Sequence, residues 1–138
     1  IILGLPGETH DTMVAQAGML SELPLSTLKI HQLQLIRGTR MAHEYEENPT
    51  GFHLFREVDE YIDLVIDYVE HLHPDLVLER FVSQSPKELL IAPDWGLKNY
   101  EFVTRLQKRM KERGAYQGKK YRDSEKRVIF AEDNFTTE

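Results

Sequence analysis

The feature that most constrains the fold is the alternation of three strand-like apolar runs with three stretches of helical periodicity. The predicted strands cover residues 1–3, 26–36 and 76–81. Apolar side chains recur at helical spacing after each strand, and the three helices are predicted to end near Pro24, Pro74 and Gly114. Strand–helix alternation is typical of parallel strands joined by right-handed crossovers. The sequence therefore predicts an α/β fold.

The segments between these elements carry weaker patterns. Residues 37–52 are predicted to be irregular, with one helical turn near Met41, because Gly38, Pro49 and Gly51 interrupt them. Residues 83–93 are predicted to form a loop or a short turn-rich connection.

Three strands are few for a free-standing parallel sheet, because such strands need cover on both faces. The chain also begins inside an apolar run without an initiator methionine. We therefore expect a piece of a longer protein, cut within a larger sheet or barrel. Residues 1–121 are predicted to form this barrel portion, and residues 122–138 a polar C-terminal tail. The open barrel edges and the apolar inner face predict a homo-oligomer.

The 138-residue sequence contains no cysteine, which excludes disulfides, thiolate nucleophiles and thiolate-held metal clusters within the chain. Its longest apolar runs are a few residues, whereas a membrane-spanning helix needs about 20. A secretory leader is not visible either. We expect a cytoplasmic protein that has no membrane partner.

Charge is unevenly distributed along the chain. Residues 1–97 hold 16 acidic against 6 basic side chains, whereas residues 98–127 hold 11 basic against 4 acidic. A basic segment on an acidic body predicts, as an alternative function, an interaction or RNA-binding module. A solvated helix face followed by a basic tail explains the same pattern. The side chains that would form the binding surface are Arg105, Lys108, Arg109, Lys111 and Arg113.

In barrels of parallel strands, functional residues collect at the C-terminal ends of the strands. Gln32 and Gln34 lie near the end of the second predicted strand, where their amides can hydrogen-bond a polar ligand or form a buried network. Lys29 and His31 lie on the opposite strand face unless a bulge intervenes.

Arg80 and Gln84 follow the third predicted strand, and an arginine there can hold a carboxylate or phosphate. Glu79 can form a structural pair with Lys29 on the neighbouring strand. The glycines of residues 4–9 either admit a ligand to the backbone or form a simple strand-to-helix turn. His71 and His73 lack metal-ligand spacing, and we predict no metal site in the chain.

At Ile1-Ile2-Leu3-Gly4-Leu5-Pro6-Gly7-Glu8-Thr9 the chain resembles the fifth-strand motif of radical S-adenosylmethionine (radical SAM) enzymes. The pattern continues through Leu28-Lys29-Ile30-His31-Gln32-Leu33-Gln34, Gly38-Thr39, Met41-Ala42, Glu79-Arg80-Phe81, Ser83-Gln84-Ser85-Pro86, Trp95-Gly96-Leu97-Lys98-Asn99 and Gln117-Gly118-Lys119. Together these motifs resemble a bacterial family of uncharacterised radical SAM Fe–S oxidoreductases, related to anaerobic coproporphyrinogen oxidase and the Elongator catalytic subunit.

This resemblance implies a partial (β/α)6 TIM-like barrel of which the chain is the C-terminal half. It implies that the full-length protein holds a [4Fe–4S] cluster and S-adenosylmethionine, whose cleavage makes a 5′-deoxyadenosyl radical for hydrogen abstraction. The residues that it places against the cofactor are Ile2, Leu3, Gly4 and Leu33. The residues that we expect to face the unidentified substrate are Gln32, Gln34, Arg80 and Gln84. Because the chain lacks the cluster-binding cysteines, we expect it to bind neither cofactor tightly and to be inactive alone.

Overall fold

A computed structural model describes residues 1–122. The strands are β1 (Ile2–Leu3), β2 (Thr27–Lys29), β3 (His31–Gln32), β4 (Leu35–Ile36), β5 (Val77–Arg80) and β6 (Leu90–Ala92). The helices are α1 (His10–Ser21), α2 (Arg40–Glu47), α3 (Val58–Glu70) and α4 (Asn99–Arg113), with a 3-10 turn at Pro49–Gly51. Most of the predicted polar tail, residues 123–138, lies outside the described residues.

The parallel strands lie side by side, with residues 27–32 in the middle. We call residues 27–32 the central segment. β3 pairs in parallel with β1, and β2 pairs in parallel with β5. The amide of Ile30 donates to the Arg80 carbonyl at 2.8 Å, whereas the next amide, of His31, donates to the Ile1 carbonyl at 3.0 Å. Residues 27–32 therefore lie between β1 and β5, and the parallel pairing predicted for this α/β chain is confirmed.

The prediction of one continuous strand over residues 26–36 is wrong, because three short strands occupy this segment and each has a different partner. The ladder of β2 with β5 changes register between Leu28 and Lys29. Gln32 and Leu33 are both buried although they are consecutive, so the alternation of an ideal strand is broken there. Strand periodicity alone does not reveal such a break.

β6 is a strand that the sequence analysis missed. It pairs antiparallel with β4, with Leu35 opposite Ala92 and Ile36 opposite Leu90. The predicted loop over residues 83–93 is therefore wrong at its end. A three-residue strand has too little pattern of its own, and its pairing depends on β4, which lies far away in the sequence. The predicted single helical turn near Met41 is also longer than expected, since α2 spans eight residues behind its Thr39 cap.

The other helices follow their sequence signals. Thr9 caps α1 by accepting a hydrogen bond from the Thr12 amide, while Asp11 lies within the first turn of the helix. α4 ends at Gly114, whose φ of 63° is a left-handed conformation that suits glycine. α3 packs against both α1 and α4. Its apolar stripe makes it the centre of the core, where Tyr61 and Tyr68 are fully buried.

The helices cover one face of the parallel strands. Leu3, Leu28 and Ile30 are buried in the same core cluster as the side chains of α3. On the opposite face Ile2 is 46% exposed and Val77 is 57% exposed. Within residues 1–122, this second face has no helical layer of the kind that parallel sheets normally carry on both sides.

Candidate functional site

The carboxyl ends of β3 and β5 meet at one end of the sheet, and an amide side chain joins them. Gln32 is 4% exposed. Its Oε1 accepts a hydrogen bond from the Ser83 amide at 2.8 Å, and its Nε2 donates to the Ser83 carbonyl at 3.3 Å. Both polar atoms of the Gln32 side-chain amide are therefore hydrogen-bonded to the main chain after β5. This corresponds to the buried network that the sequence offered as one alternative.

The second glutamine binds the same segment through only one of its polar atoms. Gln34 Oε1 accepts a hydrogen bond from Ser85 Oγ at 2.6 Å. Because the carbonyl oxygen is held by the serine, the Nε2 group is turned to the other side of the amide and remains a donor. Gln34 is half-buried, unlike Gln32.

Between these strand ends and the start of α4 lies a cleft of about 310 Å³. Its wall includes both glutamines and the segment after β5. The charged side chains on it are Lys87, Asp94 and Lys98. The Asp94 carboxylate accepts a hydrogen bond from the Gly96 amide at 3.0 Å, which stabilises the turn before α4. The cleft is therefore polar on one side and carries a net positive charge.

Aromatic rings form the other side of the cleft. The Trp95 ring is stacked 5.1 Å from Tyr61 and 6.1 Å from Phe102, and its Nε1 donates to the Phe55 carbonyl at 2.7 Å. The Tyr61 hydroxyl donates to the Phe81 carbonyl, and burial raises the pKa of Tyr61 well above its ordinary value. Tyr61 is thus a structural hydrogen-bond donor that fixes the ring on which Trp95 rests.

The turn after β1 forms a smaller cavity of about 250 Å³. Glu8 closes the turn by accepting hydrogen bonds from the Leu5 amide at 2.9 Å and from Gln16 Nε2 at 2.8 Å. Gly4 has φ of +93°, and a Cβ on it would lie 2.8 Å from Phe55 Cε2. The missing side chain of Gly4 is therefore needed for the packing of Phe55.

The four residues expected at the cofactor lie on different sides of the sheet. The Ile2 side chain is exposed on the uncovered face, whereas Leu3 is fully buried under the helices. The Gly4 amide lies 3.2 Å from Met13 Sδ. Leu33 is buried in a second apolar cluster with Leu35, Leu54 and Ala92.

The residues expected to face substrate are brought together in part. Gln32, Gln34 and Gln84 line the cleft, but Arg80 does not. Arg80 is exposed on β5 opposite Lys29, its register partner. Within the described part of the chain no ion pair joins Lys29 to Glu79, so that predicted structural pair is not formed.

His31 lies beside these cations on the central segment. Its Nε2 atom is buried and has no hydrogen-bond partner among residues 1–122. Burial lowers the pKa of His31, and the positive charges of the Ile1 ammonium, Arg80 and Lys29 lower it further. The imidazole is thus held in a surrounding that disfavours its protonated form.

The basic residues of α4 are partly neutralised by carboxylates of α3. Arg109 Nε lies 3.0 Å from Asp63 Oδ1, and Arg113 Nη2 lies 2.6 Å from Asp67 Oδ1. These hydrogen bonds raise the pKa of both arginines. Of the predicted RNA-binding surface, Arg105, Lys108 and Lys111 are exposed and make no ion pair within the described residues. RNA binding stays a prediction, and residues 123–127 of the basic segment lie outside the described part.

The histidines play structural roles where their contacts are seen. His71 Nδ1 is 2.8 Å from the Asp67 carbonyl, and His73 Nδ1 accepts a hydrogen bond from the Asp75 amide. Nowhere in residues 1–122 do three or more His, Cys, Asp or Glu side chains come together as metal ligands would.

The sequence pattern of the radical SAM C-terminal domain matches residues 25–112, which is more than half of the chain. The chain belongs to the radical SAM C-terminal domain family. The match contains the whole of the cleft wall, from Gln32 to Phe102.

Relatives of this radical SAM domain extend the similarity toward the start of the chain. It is 36% identical over 119 residues to the uncharacterized protein YtqA of Bacillus subtilis, which covers 86% of this chain and 36% of YtqA. It is 32% identical over 124 residues to the uncharacterized protein MJ0486 of Methanocaldococcus jannaschii, which covers 88% of this chain and 37% of that protein. Protein YhcC of Escherichia coli K12 is 24% identical over 115 residues, 83% of this chain and 36% of YhcC. The chain thus spans just over a third of the length of these relatives.

Sequence reasoning did not assign three cleft residues of this radical SAM domain to a site. Trp95 and Lys98 belong to a motif used only for the resemblance, and Lys87 belongs to a predicted loop. The signal that was present is a tryptophan followed directly by a glycine and, three positions on, by a lysine. None of the helices within residues 1–122 has the length and apolar content needed to cross a bilayer.

Proposed function

We propose that this chain is the C-terminal portion of a radical SAM Fe–S oxidoreductase and that its parallel strands are late strands of a partial (β/α)6 barrel. Family membership supports this proposal, as does the side-by-side order of β1, the central segment and β5 with helices on one face. The observation that carries it is the polar cleft at the carboxyl ends of β3 and β5, where barrels of this type hold their ligands.

The residues of this chain do not fit an iron–sulfur cluster. The sequence has no cysteine, and among the described residues no three His, Asp or Glu side chains come together as metal ligands would. The cluster ligands would have to lie in another part of the full-length protein. We assign no step of a reaction to this group within the chain.

S-adenosylmethionine fits the uncovered face of the sheet in one respect. Ile2 exposes an apolar side chain there, next to its register partner His31, and a planar adenine ring packs favourably on such a surface. Leu3, Gly4 and Leu33 would act through the backbone or through packing, since their side chains are buried or absent. When bound, S-adenosylmethionine supplies the hydrogen-abstracting group.

The cleft residues would orient the substrate and keep it away from water. Gln34 and Gln84 offer amide hydrogen bonds, while Trp95 and Phe102 provide an apolar wall. Gln32 would act indirectly, because its amide holds the Ser83 backbone in place. The titratable side chains of the described cleft wall are Lys87, Asp94 and Lys98. The proposed contribution of this chain is binding and orientation.

The test is 5′-deoxyadenosine formation by the full-length protein. We expect the anaerobically reconstituted full-length protein to form this product from S-adenosylmethionine in the presence of dithionite. Residues 1–138 alone should form none and should show no tight binding of S-adenosylmethionine in calorimetry. Micromolar affinity of the isolated chain, or a full-length protein that forms no 5′-deoxyadenosine, would contradict the proposal.

A pair of variants locates the cofactor-facing surface. In the full-length protein, Ile2→Asp should weaken the binding of S-adenosylmethionine, because it puts a carboxylate on the proposed adenine platform. Leu23→Asp is the matched control, since Leu23 is 53% exposed in the connection from α1 to β2 rather than on a strand. Equal affinity of the two variants would remove Ile2 from the proposed site.

The interaction or RNA-binding alternative has weaker support. Arg109 and Arg113 are occupied by carboxylates of α3, which leaves three described side chains for phosphate contacts. Salt-sensitive retention of RNA that is lost on Lys108→Gln and Lys111→Gln would favour this alternative.

A further inference from the structure

We propose that the cleft at the ends of β3 and β5 is an anion-binding site that holds a carboxylate or phosphate group through Lys87, Lys98 and the Gln34 amide. The group attached to this anion would lie against Trp95. The link to a substrate rests on the proposed function, but the site itself is formed by this chain alone.

The size of the cleft suits a small ligand. Its volume of about 310 Å³ lies at the lower end of the range for ligand pockets, about 300–1,000 Å³. Its wall is built from three separate segments: the end of the central segment, the connection from β5 to β6, and the turn before α4. A cleft that is lined by three segments can contact one anionic group and part of its neighbour from more than one side.

Gln34 provides a neutral donor whose orientation is fixed. Because Ser85 Oγ donates to Gln34 Oε1, the Nε2 group is the part of the amide left over for a ligand. No hydrogen-bond partner of this Nε2 is found among residues 1–122. Gln32 does not offer such a donor, since both of its polar atoms are bound to Ser83.

The charge on the wall favours an anion. Lys87 comes from the connection after β5 and Lys98 from the residue before α4, and neither makes an ion pair in the described part of the chain. Asp94 is the one acidic side chain of the wall, and its carboxylate is bound by the Gly96 amide. Lys87 is one of only 6 basic side chains in residues 1–97, which carry 16 acidic ones, whereas Lys98 is the first residue of the basic segment 98–127. An ammonium group attracts either a carboxylate or a phosphate as a point charge.

The aromatic wall defines what should be attached to the anion. Trp95 and Phe102 both line the cleft and are stacked on each other with an interplanar angle of 16°. A planar or apolar moiety packs well against such a surface, whereas a fully hydrated ion does not use it. The ligand class is therefore an aromatic or apolar molecule that carries one anionic group.

The test uses the side chain of Trp95 as a reporter, because it is the only tryptophan in the sequence. The 138-residue chain labelled with ¹⁵N gives one indole cross-peak, which we would follow while adding benzoate, phenyl phosphate or the neutral benzamide at constant ionic strength. We expect a saturable shift with at least one of the two anions, at an affinity about tenfold or more above that for benzamide. Comparison of benzoate with phenyl phosphate distinguishes a carboxylate site from a phosphate site.

Two variants of the wall and one control complete the test. Lys87→Gln and Lys98→Gln should each weaken anion binding by about tenfold, whereas Lys119→Gln, at an exposed lysine outside the cleft wall, should leave it unchanged. All three replace an exposed lysine, and unchanged amide spectra verify that the fold is kept. The proposal is overturned by equal binding of benzamide, by equal affinity of all variants, or by the absence of a saturable shift with either anion. Formation of 5′-deoxyadenosine by the full-length protein is measured separately, so that failure of one proposal does not depend on the other.

Discussion

The side-chain amide of Gln32 is bonded in both directions to the main chain of Ser83, which lies 51 positions further along the sequence. This pair ties the end of β3 to the segment that follows β5 and thereby fixes one wall of the cleft. Because Gln32 is buried, the Ser83 amide and carbonyl have little access to water as a replacement partner.

Removal of this amide should destabilise the protein. We expect Gln32→Leu to lower the free energy of unfolding by about 1–3 kcal/mol, the cost of leaving buried polar groups without partners. Urea unfolding measures this change. Gln107→Leu is the control, since Gln107 is exposed on α4. An equally small effect of both variants would show that the Ser83 pairing is dispensable.

Gly4 should be sensitive to substitution for two separable reasons. Gly4→Ala combines a positive φ with a Cβ placed 2.8 Å from Phe55 Cε2, whereas Gly7→Ala combines a similar φ of +83° with open space. We expect Gly4→Ala to cost about 1–3 kcal/mol more than Gly7→Ala, because overpacking adds to the backbone strain. Thermal or urea unfolding of both variants gives the difference. If the two losses are the same, Phe55 does not restrict this position.

His31 should make stability depend on pH. Its folded-state pKa is lowered below the ordinary value of 6.5, so the unfolded chain binds a proton more readily than the folded one. The contribution of His31 is therefore neutral above pH 6.5 and becomes increasingly destabilising as the pH falls from 6.5 through the lowered pKa. When the pH is lowered from 7.5 to 5 (roughly the range of histidine titration), we expect the free energy of unfolding to fall less for His31→Gln than for the unmodified chain.

The control for this measurement is His43→Gln, at an exposed position on α2. It should retain the pH dependence of the unmodified chain. Parallel stability curves for the unmodified chain and His31→Gln would show that the partly buried imidazole does not contribute.

Arg113 should matter more than its neighbours on α4. Its Nη2 lies 2.6 Å from Asp67 and 3.6 Å from the carboxylate of Glu70, whose side chain is 4% exposed. Arg113→Gln should cost about 1–2 kcal/mol, because the buried carboxylate loses a cation. Arg105→Gln, at an exposed site without an ion pair among the described residues, should change stability little. Chemical denaturation at low and high salt tests both, and equal losses would contradict the role of Arg113.

The uncovered sheet face should promote self-association of the isolated chain. Val77 and Ile2 are exposed there, and within residues 1–122 β1 and β5 each pair on one side only. We expect dimers or larger species by light scattering, reduced by Val77→Lys but not by Leu23→Lys in the connection from α1 to β2. A monomer at all concentrations would show that the open edges are not adhesive.

The sequence was sufficient for the elements that carry their own signals. α3 follows from its apolar stripe, α1 from its helical spacing before Pro24 and α4 from Gly114, since each of these depends on local physical chemistry. β6 could not be predicted in this way, because Leu90–Ala92 forms a strand only through its contact with β4.

The candidate site, too, has features that the local sequence predicts and features that depend on distant contacts. The polar residues at the strand ends were identified, because parallel topology brings such ends together. The different roles of Gln32 and Gln34 could not be assigned, since they depend on which backbone atoms of residues 83–85 come within reach. Whether Gln34, Arg80 and Gln84 face a substrate, and whether Ile2 contacts a cofactor, stay predictions.

The central segment donates hydrogen bonds to opposite neighbours at consecutive residues, from Ile30 toward β5 and from His31 toward β1. The number of residues in this segment is therefore constrained by the hydrogen bonds on both of its sides. Insertion or deletion of one residue there would displace both ladders at once and turn the buried side chains to the wrong face. The connection around Lys87 is exposed and has no such double constraint, so it is the place where a protein engineer could vary chain length and reshape the cleft while leaving the sheet intact.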